Sequence, residues 1–288
     1  MDTAQLLAQA GVEHSSPRLA STYEQAVDIA HHVGFPLVCK PDVPRQHFAA
    51  RIATDLGQLA TAFAAASEAF QVGTGGVVEP FLQGIEATAY TYSTSGRSHI
   101  VAISHATFDP QAEPALVPIE LVVDGGDVCV GAVEDIALQA LQAVGHHNGP
   151  AQLRLRLTAT GPRVISIARQ LPDPLVCLLI EEATGTDIIS AAATHCRDRT
   201  MNLSGTPQGA AAIRYLQLTA SVAAEPAADQ NVTGHATPFA YVTRYHAGRQ
   251  VGPVLRYGYV HVIGADYPQS IARLRSSVSD LRPARATA

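Results

Sequence analysis

The 288-residue chain has little charge, and its basic residues are in the minority. Charged residues make up 15% of the sequence, and 19 Lys and Arg stand against 25 Asp and Glu, which gives a formal net charge of −6. Proteins that bind a phosphate backbone usually carry a basic stripe on their surface. We therefore expect no nucleic-acid partner.

Lysine is almost absent. Lys40 is the only lysine, and every other basic residue is an arginine. This bias, together with the many alanines, is typical of genomic composition rather than of a chemical requirement. It makes Lys40 easy to single out as a candidate functional residue.

Long apolar runs and paired cysteines are also missing. No stretch reaches the roughly eighteen apolar residues of a membrane helix, and the first residues, MDTAQLLAQAGVEHSS, lack the basic and apolar regions of a signal peptide. We expect a cytoplasmic chain that does not contact a membrane. The four cysteines (Cys39, Cys129, Cys177 and Cys196) are widely spaced without a Cys-x-x-Cys pair, which argues against disulfides and against a zinc knuckle.

Hydrophobic residues make up 47% of the chain, which is enough for a large core, and the length predicts two domains or one elaborated domain.

An alternating stretch from Ala87, with a Ser-Gly turn, predicts a hairpin of an antiparallel sheet, and AQLRLRLT and PRVISIAR predict a strand pair. Helical spacing is found at 22–33, 55–70, 132–145 and 173–194, and in a final helix with Pro268 near its first turn and a stripe of Ile271, Leu274, Val278 and Leu281. Further strands are predicted for PLVCKP, for VVEPFL and near 239–245 and 254–263, and residues 221–238 are predicted to form a linker or an exposed loop.

Four stretches in order, GFPLVCKP, VVEPFLQGIEA, GPAQLRLRLTATGPRVISIARQL and EEATGTDI, resemble the ATP-grasp family. The branch that they resemble most is that of the carboxylate–amine ligases, with the L-amino-acid ligases, biotin carboxylase and carbamoyl phosphate synthetase modules. The tail, AAIRYL followed by GPVLRYGYVHVIGADYPQSIARLRSSV, is similar to the small C-terminal domain of that branch. The resemblance thus spans nearly the whole chain.

The resemblance implies an α+β ATP-grasp fold of two α+β subdomains with a small biotin-carboxylase-C-like domain. It places a small or lid subdomain with an N-terminal connector at 1–82, a large antiparallel-sheet subdomain at 83–195 and a small C-terminal α+β domain packed on the sheet at 196–288. The Rossmann-like domain that precedes these parts in this branch is expected to be absent.

The resemblance also implies a nucleotide site. In the family a lysine after GFP contacts nucleotide phosphates, and Lys40 stands there, although a surface lysine that reaches solvent is the alternative. Glu79, Phe81 and Leu82 match the hinge that borders adenine, and Glu86 matches the Gly-x-Glu pattern that follows it. Nucleotide binding, if retained, would fall to these five residues, but the hinge can also persist for structural reasons.

The glycine-rich phosphate loop of the family reads DVPRQHFAARI here. It contains no glycine, and Pro44 lacks a backbone N–H, so its backbone is poorly suited to cradle a phosphate. We expect that this loop does not hold phosphate. Arg45, His47 and Arg51 are the alternative, as side-chain ligands.

The positions that hold the catalytic metals in the family carry no carboxylate here. The resemblance puts Arg154 in the place of the first Glu, and Ser166, Ala168 and Gln170 in the places of a Glu, an Asn and a substrate-facing Arg. Magnesium prefers oxygen ligands, and these changes shift the local formal charge by about +3. We expect no metal and no cofactor, with ATP and Mg only under an alternative reading. A register slip of one residue would bring Arg169 into the substrate-arginine role without restoring a carboxylate.

Strand alternation predicts an anion cleft. Gln152, Arg154 and Arg156 share one face of their strand, and Ser166 and Gln170 share the matching face of the partner strand. A guanidinium binds carboxylate or phosphate without a metal. The alternative is that both arginines pair with acidic neighbours across the sheet.

The 12 histidines do not predict a metal site. Adjacent pairs at 31–32 and 146–147 diverge by about 100° on a helix, so neither makes a helix-borne site, and both lie where a helix is predicted to end. His105 and Glu120 flank the proline-rich stretch 109–118 and are weak acid/base candidates at the substrate side of the cleft.

These features predict a degenerate ATP-grasp protein, a pseudo-ligase that does not act as an ATP-dependent ligase. We expect it to bind an anionic small molecule, or to be an accessory partner of a homologous ligase or a homo-oligomer. One alternative is an active ATP-dependent carboxylate–amine ligase with a metal site rebuilt from residues such as Glu113, Glu120 or Asp173. The other is a metal-independent enzyme that uses the cleft arginines and His105 on a carboxylated metabolite.

Overall fold

The computed structural model describes residues 2–41, 50–68, 75–109, 116, 118–126, 130–198, 203, 205–219, 240–251 and 254–279. The chain divides by its contacts into two compact units. Unit 1 comprises Met1–Ile100, Thr107–Pro118 and Cys129–Gln170, and unit 2 comprises Val101–Ala106, Ile119–Val128 and Leu171–Ala288. The three ranges implied by the resemblance, 1–82, 83–195 and 196–288, stay a prediction.

The described elements alternate helices with antiparallel strands, which confirms the predicted α+β class. In chain order they are α1 (Thr3–Gln9), β1 (Arg18–Ala20), α2 (Tyr23–Val33), β2 (Leu37–Lys40), β3 (Arg51–Ala53), α3 (Leu56–Glu68), β4 (Gly76–Pro80), β5 (Ile85–Thr94), β6 (Arg97–Phe108), β7 (Pro118–Asp124), α4 (Val130–Ala143), β8 (Gly149–Thr158), β9 (Gly161–Ala168), α5 (Pro174–Thr184), α6 (Ile188–Asp198), β10 (Ala210–Thr219), β11 (Ala240–Val251), β12 (Val254–Gly264) and α7 (Tyr267–Ser279).

The first layer of unit 1 is a four-stranded antiparallel sheet in the order β1-β4-β2-β3. Helix α2 begins at the N-cap Thr22, whose side chain accepts from the Gln25 backbone N–H, and ends at Gly34, whose φ of 84° suits glycine. Helices α2 and α3 cover one face of the sheet and bury the alternate residues Leu37 and Cys39 of β2. The intervening residues Val38 and Lys40 therefore point to the opposite face.

The second layer of unit 1 contains β5, β8 and β9, with β8 between the other two. Leu153 and Leu155 of β8 are fully buried on one face, and α4 packs against β5 and β9. The residues between them lie on the other face. Arg154 is opposite Thr88 of β5, and Arg156 is opposite Glu86.

The hairpin of β8 and β9 has the register that alternation predicts, with one irregularity. Gln152 pairs with Ala168, and Arg154 pairs with Ser166. Between Arg154 and Leu155 the register shifts, because β9 has one extra residue there, Ile165.

Unit 2 contains the antiparallel strands β11, β12, β10 and β7, paired in that order. Helix α7 packs on β12 and β10 and buries Leu274 with Ile271 and Val278 against them, as the predicted stripe requires. Leu281 and the predicted linker 221–238 lie outside the described residues.

The structure differs from the sequence predictions in several elements, and α1, β1, β3 and β10 were not predicted. The helical stretch at 173–194 is two helices, because Gly185 ends α5 in a left-handed conformation with φ 70°. Strand β7 follows the proline-rich stretch directly and was not predicted. Among the described residues, no helix is both long and apolar enough to span a bilayer.

Candidate functional site

A cavity in unit 1 brings together the predicted nucleotide-binding residues and the two cleft arginines. Its charged lining residues are Lys40, Glu79, Glu86, Arg154 and Arg156, and its apolar lining residues include Val38, Ala50, Phe81, Leu82, Leu116 and Ile165. Its volume is about 30 Å³. A single water needs about 10–15 Å³ of such space, and pockets for drug-sized ligands measure about 300–1,000 Å³. The enclosed space of the cavity therefore corresponds to about two water molecules.

Lys40 is a buried partner of Glu79. Its Nζ donates to Glu79 Oε1 at 2.6 Å, and the two side chains are 11% and 4% exposed. The hydroxyl of Ser15 donates to the other carboxylate oxygen, Oε2, at 2.6 Å. This geometry excludes the surface-lysine alternative, since the ammonium group is held inside the cavity by a carboxylate. Ser15 was not predicted from the sequence.

Glu86 bridges the two arginines of β8. Arg154 donates from Nε and Nη2 to Glu86 Oε1 at 3.0 and 2.5 Å, and Arg156 donates from Nη2 to Oε2 at 2.9 Å. Arg156 also donates from Nη1 to the Gly84 carbonyl at 3.2 Å. The alternative in which both arginines pair with an acidic neighbour across the sheet is thereby confirmed.

Arg156 is the more deeply placed of the two arginines. Its side chain is 9% exposed, against 25% for Arg154, and its Nε is buried with no hydrogen-bond partner. The guanidinium carbon lies 5.8 Å from the ring centre of Phe81 and 5.9 Å from that of Phe108. Burial lowers the pKa of Arg156, and the charge of Glu86 opposes that shift. Since a guanidinium starts from a very high pKa, it stays charged.

The charges of the described lining residues do not cancel. Among them, three cationic side chains face two carboxylates, so their formal net charge is +1. Both carboxylates are already engaged by these cations at 2.5–2.9 Å.

The residues present do not fit the magnesium ions that the family resemblance implies. The resemblance assigns the metal-ligand positions of the family to Arg154, Ser166 and Ala168, which offer no carboxylate, and Arg154 itself is bonded to Glu86. Magnesium needs several oxygen ligands in octahedral geometry. Across the part of the chain that the structure describes, no three His, Cys, Asp or Glu side chains are grouped so that they could hold a metal ion.

Groups of the predicted adenine hinge form hydrogen bonds with other residues of unit 1. The backbone N–H of Phe81 donates to the Pro36 carbonyl at 3.0 Å. Glu79 at the start of the hinge is bonded to Lys40 and Ser15. Leu82 lines the cavity. The hydrogen bonds to Pro36, Lys40 and Ser15 therefore fix the hinge within unit 1.

Three other residues predicted for the cleft have structural partners. Gln152 donates from Nε2 to the Gln170 carbonyl at 3.3 Å. Arg169 donates from Nη2 to the Val144 carbonyl, just past the end of α4, at 3.3 Å. The register slip relative to the family pattern that would give Arg169 a substrate role stays a prediction.

The acid/base candidates belong to unit 2, whereas the arginines belong to unit 1. The ring of His105 packs edge-on against that of Tyr267 at 6.1 Å, and Glu120 is ion-paired with Arg214. Asp173, a candidate for a rebuilt metal site, caps α5 and accepts from the Leu175 N–H at 3.0 Å.

The remaining candidates that the structure describes do not line the cavity. Arg51 lies on β3 opposite Cys39, and Arg45, His47 and Glu113 lie outside the described residues. The pair 31–32 occupies the last turn of α2, as predicted. His146 follows α4 and shares a 3.1 Å hydrogen bond with the Gly149 carbonyl.

Comparisons with known proteins give relatives by structure only. No family model matches the chain, and no curated protein matches it. The L-amino acid ligase from Bacillus licheniformis has a TM-score of 0.72 at 18% identity, with 96% of this chain and 69% of that chain covered. Biotin carboxylase from Campylobacter jejuni has a TM-score of 0.69 at 15% identity, with 98% and 66% covered.

A third similar structure is the carboxyaminoimidazole ribonucleotide synthase from Aspergillus clavatus, complexed with ATP. Its TM-score is 0.73 at 11% identity, and the match covers 96% of this chain and 71% of that chain. At such identities the likeness shows the fold alone, because function resides in the site rather than in the fold.

Proposed function

The chain has the ATP-grasp fold, as the sequence resemblance implied, and on this basis we propose that it is a pseudo-ligase that binds a small anion. The observation that supports the loss of magnesium chemistry is the bridge between Glu86 and the two arginines. Arg154 stands on the strand face where the resemblance implies a metal-binding carboxylate, and it takes up the neighbouring carboxylate as well.

Electrostatics oppose the magnesium chemistry of a ligase in this cavity. A guanidinium repels a divalent cation, and a pair of unit charges 4 Å apart interacts by about 4 kcal/mol at the effective dielectric of a protein surface. The carboxylates that could offset this repulsion, Glu79 and Glu86, are each bonded to a cationic side chain. Ser166 adds only a hydroxyl.

The charge of the described lining residues suits an anion without a metal. A guanidinium binds a carboxylate or phosphate through charge-assisted hydrogen bonds, and the described lining residues carry more positive than negative charge. Lys40 adds a third cationic group to the lining. The same proposal includes an accessory role beside a homologous ligase or within a homo-oligomer. This role is inferred from the loss of magnesium-dependent ligase chemistry, and no particular residue supports it.

Calorimetric titration tests whether the chain is a pseudo-ligase. ATP is added with and without Mg²⁺, and release of ADP and phosphate is followed in the presence of amino acids. We expect no magnesium-dependent binding and no release. Magnesium-dependent binding with ADP release would instead establish the active ligase, and turnover of a carboxylated metabolite in EDTA would establish the metal-independent enzyme.

The thermal shift of the chain, measured with and without added anions, tests whether it binds a small anion. An anion that binds the folded chain at 100 times its Kd stabilises it by about 2.7 kcal/mol, and a panel of carboxylates and phosphates should contain at least one such anion. Arg154→Gln should abolish this stabilisation. The matched control is Arg163→Gln on β9, because Arg163 carries the same charge but pairs with the exposed Glu13 at 3.3 Å. Equal losses in both variants, or no stabilisation by any anion, would refute the anion site.

A further inference from the structure

Residues 12–16 form a strap that joins the two layers of unit 1. The Ser15 N–H donates to the Val164 carbonyl of β9 at 2.8 Å, and the Val164 N–H donates to the Glu13 carbonyl at 2.9 Å. In the other layer, the Ser15 hydroxyl donates to Glu79 Oε2 of β4 at 2.6 Å. The strap is therefore docked on the edge of one layer and reaches a buried carboxylate of the other.

Glu79 connects the strap to Lys40. Its second oxygen, Oε1, accepts from Lys40 Nζ at 2.6 Å, and the side chains of Lys40 and Glu79 are 11% and 4% exposed. Ser15 is 2% exposed and lines the same cavity. A buried carboxylate oxygen that loses a donor incurs a desolvation penalty. The Ser15 hydroxyl therefore favours the position of Glu79 in which Lys40 is held inside.

The strap ends in a strained residue. Ser16 is exposed and has a φ of 54°, in the left-handed region that residues with a Cβ rarely adopt. Such conformations persist only where surrounding contacts hold them, and they are found in switch regions. Here the three hydrogen bonds of the strap hold the backbone just before Ser16. Release of the strap relieves this strain, so the strain opposes docking.

We propose that the strap is autoinhibitory. While it is docked, Lys40 stays bonded to Glu79, and its release makes the Lys40 ammonium group available to an anion. This inference rests on the proposed function, because the anion is the one proposed there, and it adds a regulation of that site.

The composition of the chain makes release of the strap measurable at one side chain. Lys40 is the only lysine, so acetylation by an amine reagent, followed by peptide mass spectrometry, reports its accessibility. Its neighbour Cys39 is fully buried on the helix-covered face of β2. Release of the strap should expose Lys40 alone, whereas unfolding of the four-stranded layer exposes Lys40 and Cys39 together.

Two variants change the strap in opposite directions. Ser15→Ala removes the hydroxyl that reaches Glu79, and Ser16→Gly relieves the left-handed strain. The matched control is Ser93→Ala, which removes another fully buried hydroxyl, one that is bonded to Ser98 at 2.6 Å near the end of β5. Circular dichroism and the Tm show whether each variant is folded.

The rates of acetylation at Lys40 and of alkylation at Cys39 are measured on all four chains. Relative to the unsubstituted chain, we expect Lys40 to react about tenfold faster in Ser15→Ala and about threefold more slowly in Ser16→Gly. Its rate in Ser93→Ala should be unchanged, and the rate at Cys39 should be the same in all four. Inorganic phosphate, added at constant pH and ionic strength, should slow acetylation of Ser15→Ala because a bound anion covers the amine.

The outcomes separate this inference from the proposed function. Equal acetylation of Lys40 in Ser15→Ala and Ser93→Ala would overturn the strap, and so would a parallel rise at Cys39, since the whole layer would then unfold. If Ser15→Ala does not fold, Ser16→Gly decides, and an unchanged or faster rate at Lys40 would overturn the strap. Faster acetylation of Ser15→Ala without protection by phosphate would leave the strap standing and overturn binding of phosphate at Lys40.

Discussion

Glu86→Gln should destabilise the chain strongly, because it removes the carboxylate that two arginines share. Glu86 accepts three charge-assisted hydrogen bonds, and its side chain is 6% exposed. A glutamine keeps the shape but offers one uncharged acceptor oxygen. The variant therefore leaves Arg154 and Arg156 side by side without their counter-charge.

The size of the effect depends on where each arginine can go. Breaking a buried ion pair by removing one partner costs about 3–5 kcal/mol. Arg154 is 25% exposed, so its guanidinium can turn to water at little cost. Arg156 is 9% exposed and lies between two aromatic rings, so most of the penalty falls on it. We expect the lower end of the range, about 3 kcal/mol.

Urea denaturation followed by circular dichroism measures this loss. With an m-value of about 3 kcal/mol/M, a loss of 3 kcal/mol lowers the midpoint by about 1 M. The matched control is Glu13→Gln, which removes the same charge from an exposed pair with Arg163, where the two side chains are 66% and 36% exposed. Such surface pairs contribute about 0–1 kcal/mol.

A midpoint for Glu86→Gln within 0.3 M of that for Glu13→Gln, which corresponds to about 1 kcal/mol, would refute the reasoning. It would mean that the arginines are not held by Glu86 in solution.

Two further predictions concern backbone space and thiol chemistry. Gly84→Ala should lower the Tm more than Gly161→Ala, although both glycines have positive φ, 139° and 116°. A Cβ at Gly84 would lie 2.1 Å from a backbone oxygen of β8, whereas a Cβ at Gly161 would meet no atom within 4 Å. Similar losses of Tm in a calorimetric scan would contradict the clash. Burial raises the pKa of the Cys39 thiol to about 12. Iodoacetamide at pH 8 should therefore alkylate the exposed Cys196 and leave Cys39 unmodified until urea is added. Equal alkylation rates of the two cysteines in the folded chain, measured by peptide mass spectrometry, would contradict this prediction.

The hairpin of β8 and β9 could be predicted from the sequence because its information is local. Alternation with a period of two puts Gln152 and Arg154 on one face, and a short turn fixes which residues of β9 they meet. The structure has Arg154 opposite Ser166, as the resemblance and the alternation require. The final helix was equally accessible, since its apolar stripe is continuous.

The partners of the cavity residues could not be predicted in the same way. Glu86 and Arg154 are 68 residues apart, and Ser15 and Glu79 are 64 apart. No periodicity within a segment says which strands become neighbours. Alternation left open whether the arginines were free for a ligand or paired, and only the pairing of β5 with β8 decided that they share Glu86.

The extra residue Ile165 has a consequence for how the amino-terminal segment is held. If Ile165 were paired with Leu155 as in a regular ladder, Val164 would lie opposite Arg156. Because Ile165 bulges instead, Val164 lies opposite Leu155 and is buried at 1% exposure, and Arg163 lies opposite Arg156. The backbone of Val164 then exchanges hydrogen bonds with Glu13 and Ser15 at 2.9 and 2.8 Å. The backbone of Val164 thus docks the segment whose serine hydroxyl reaches Glu79, so that an uncharged residue of β9 helps to set which groups line the cavity.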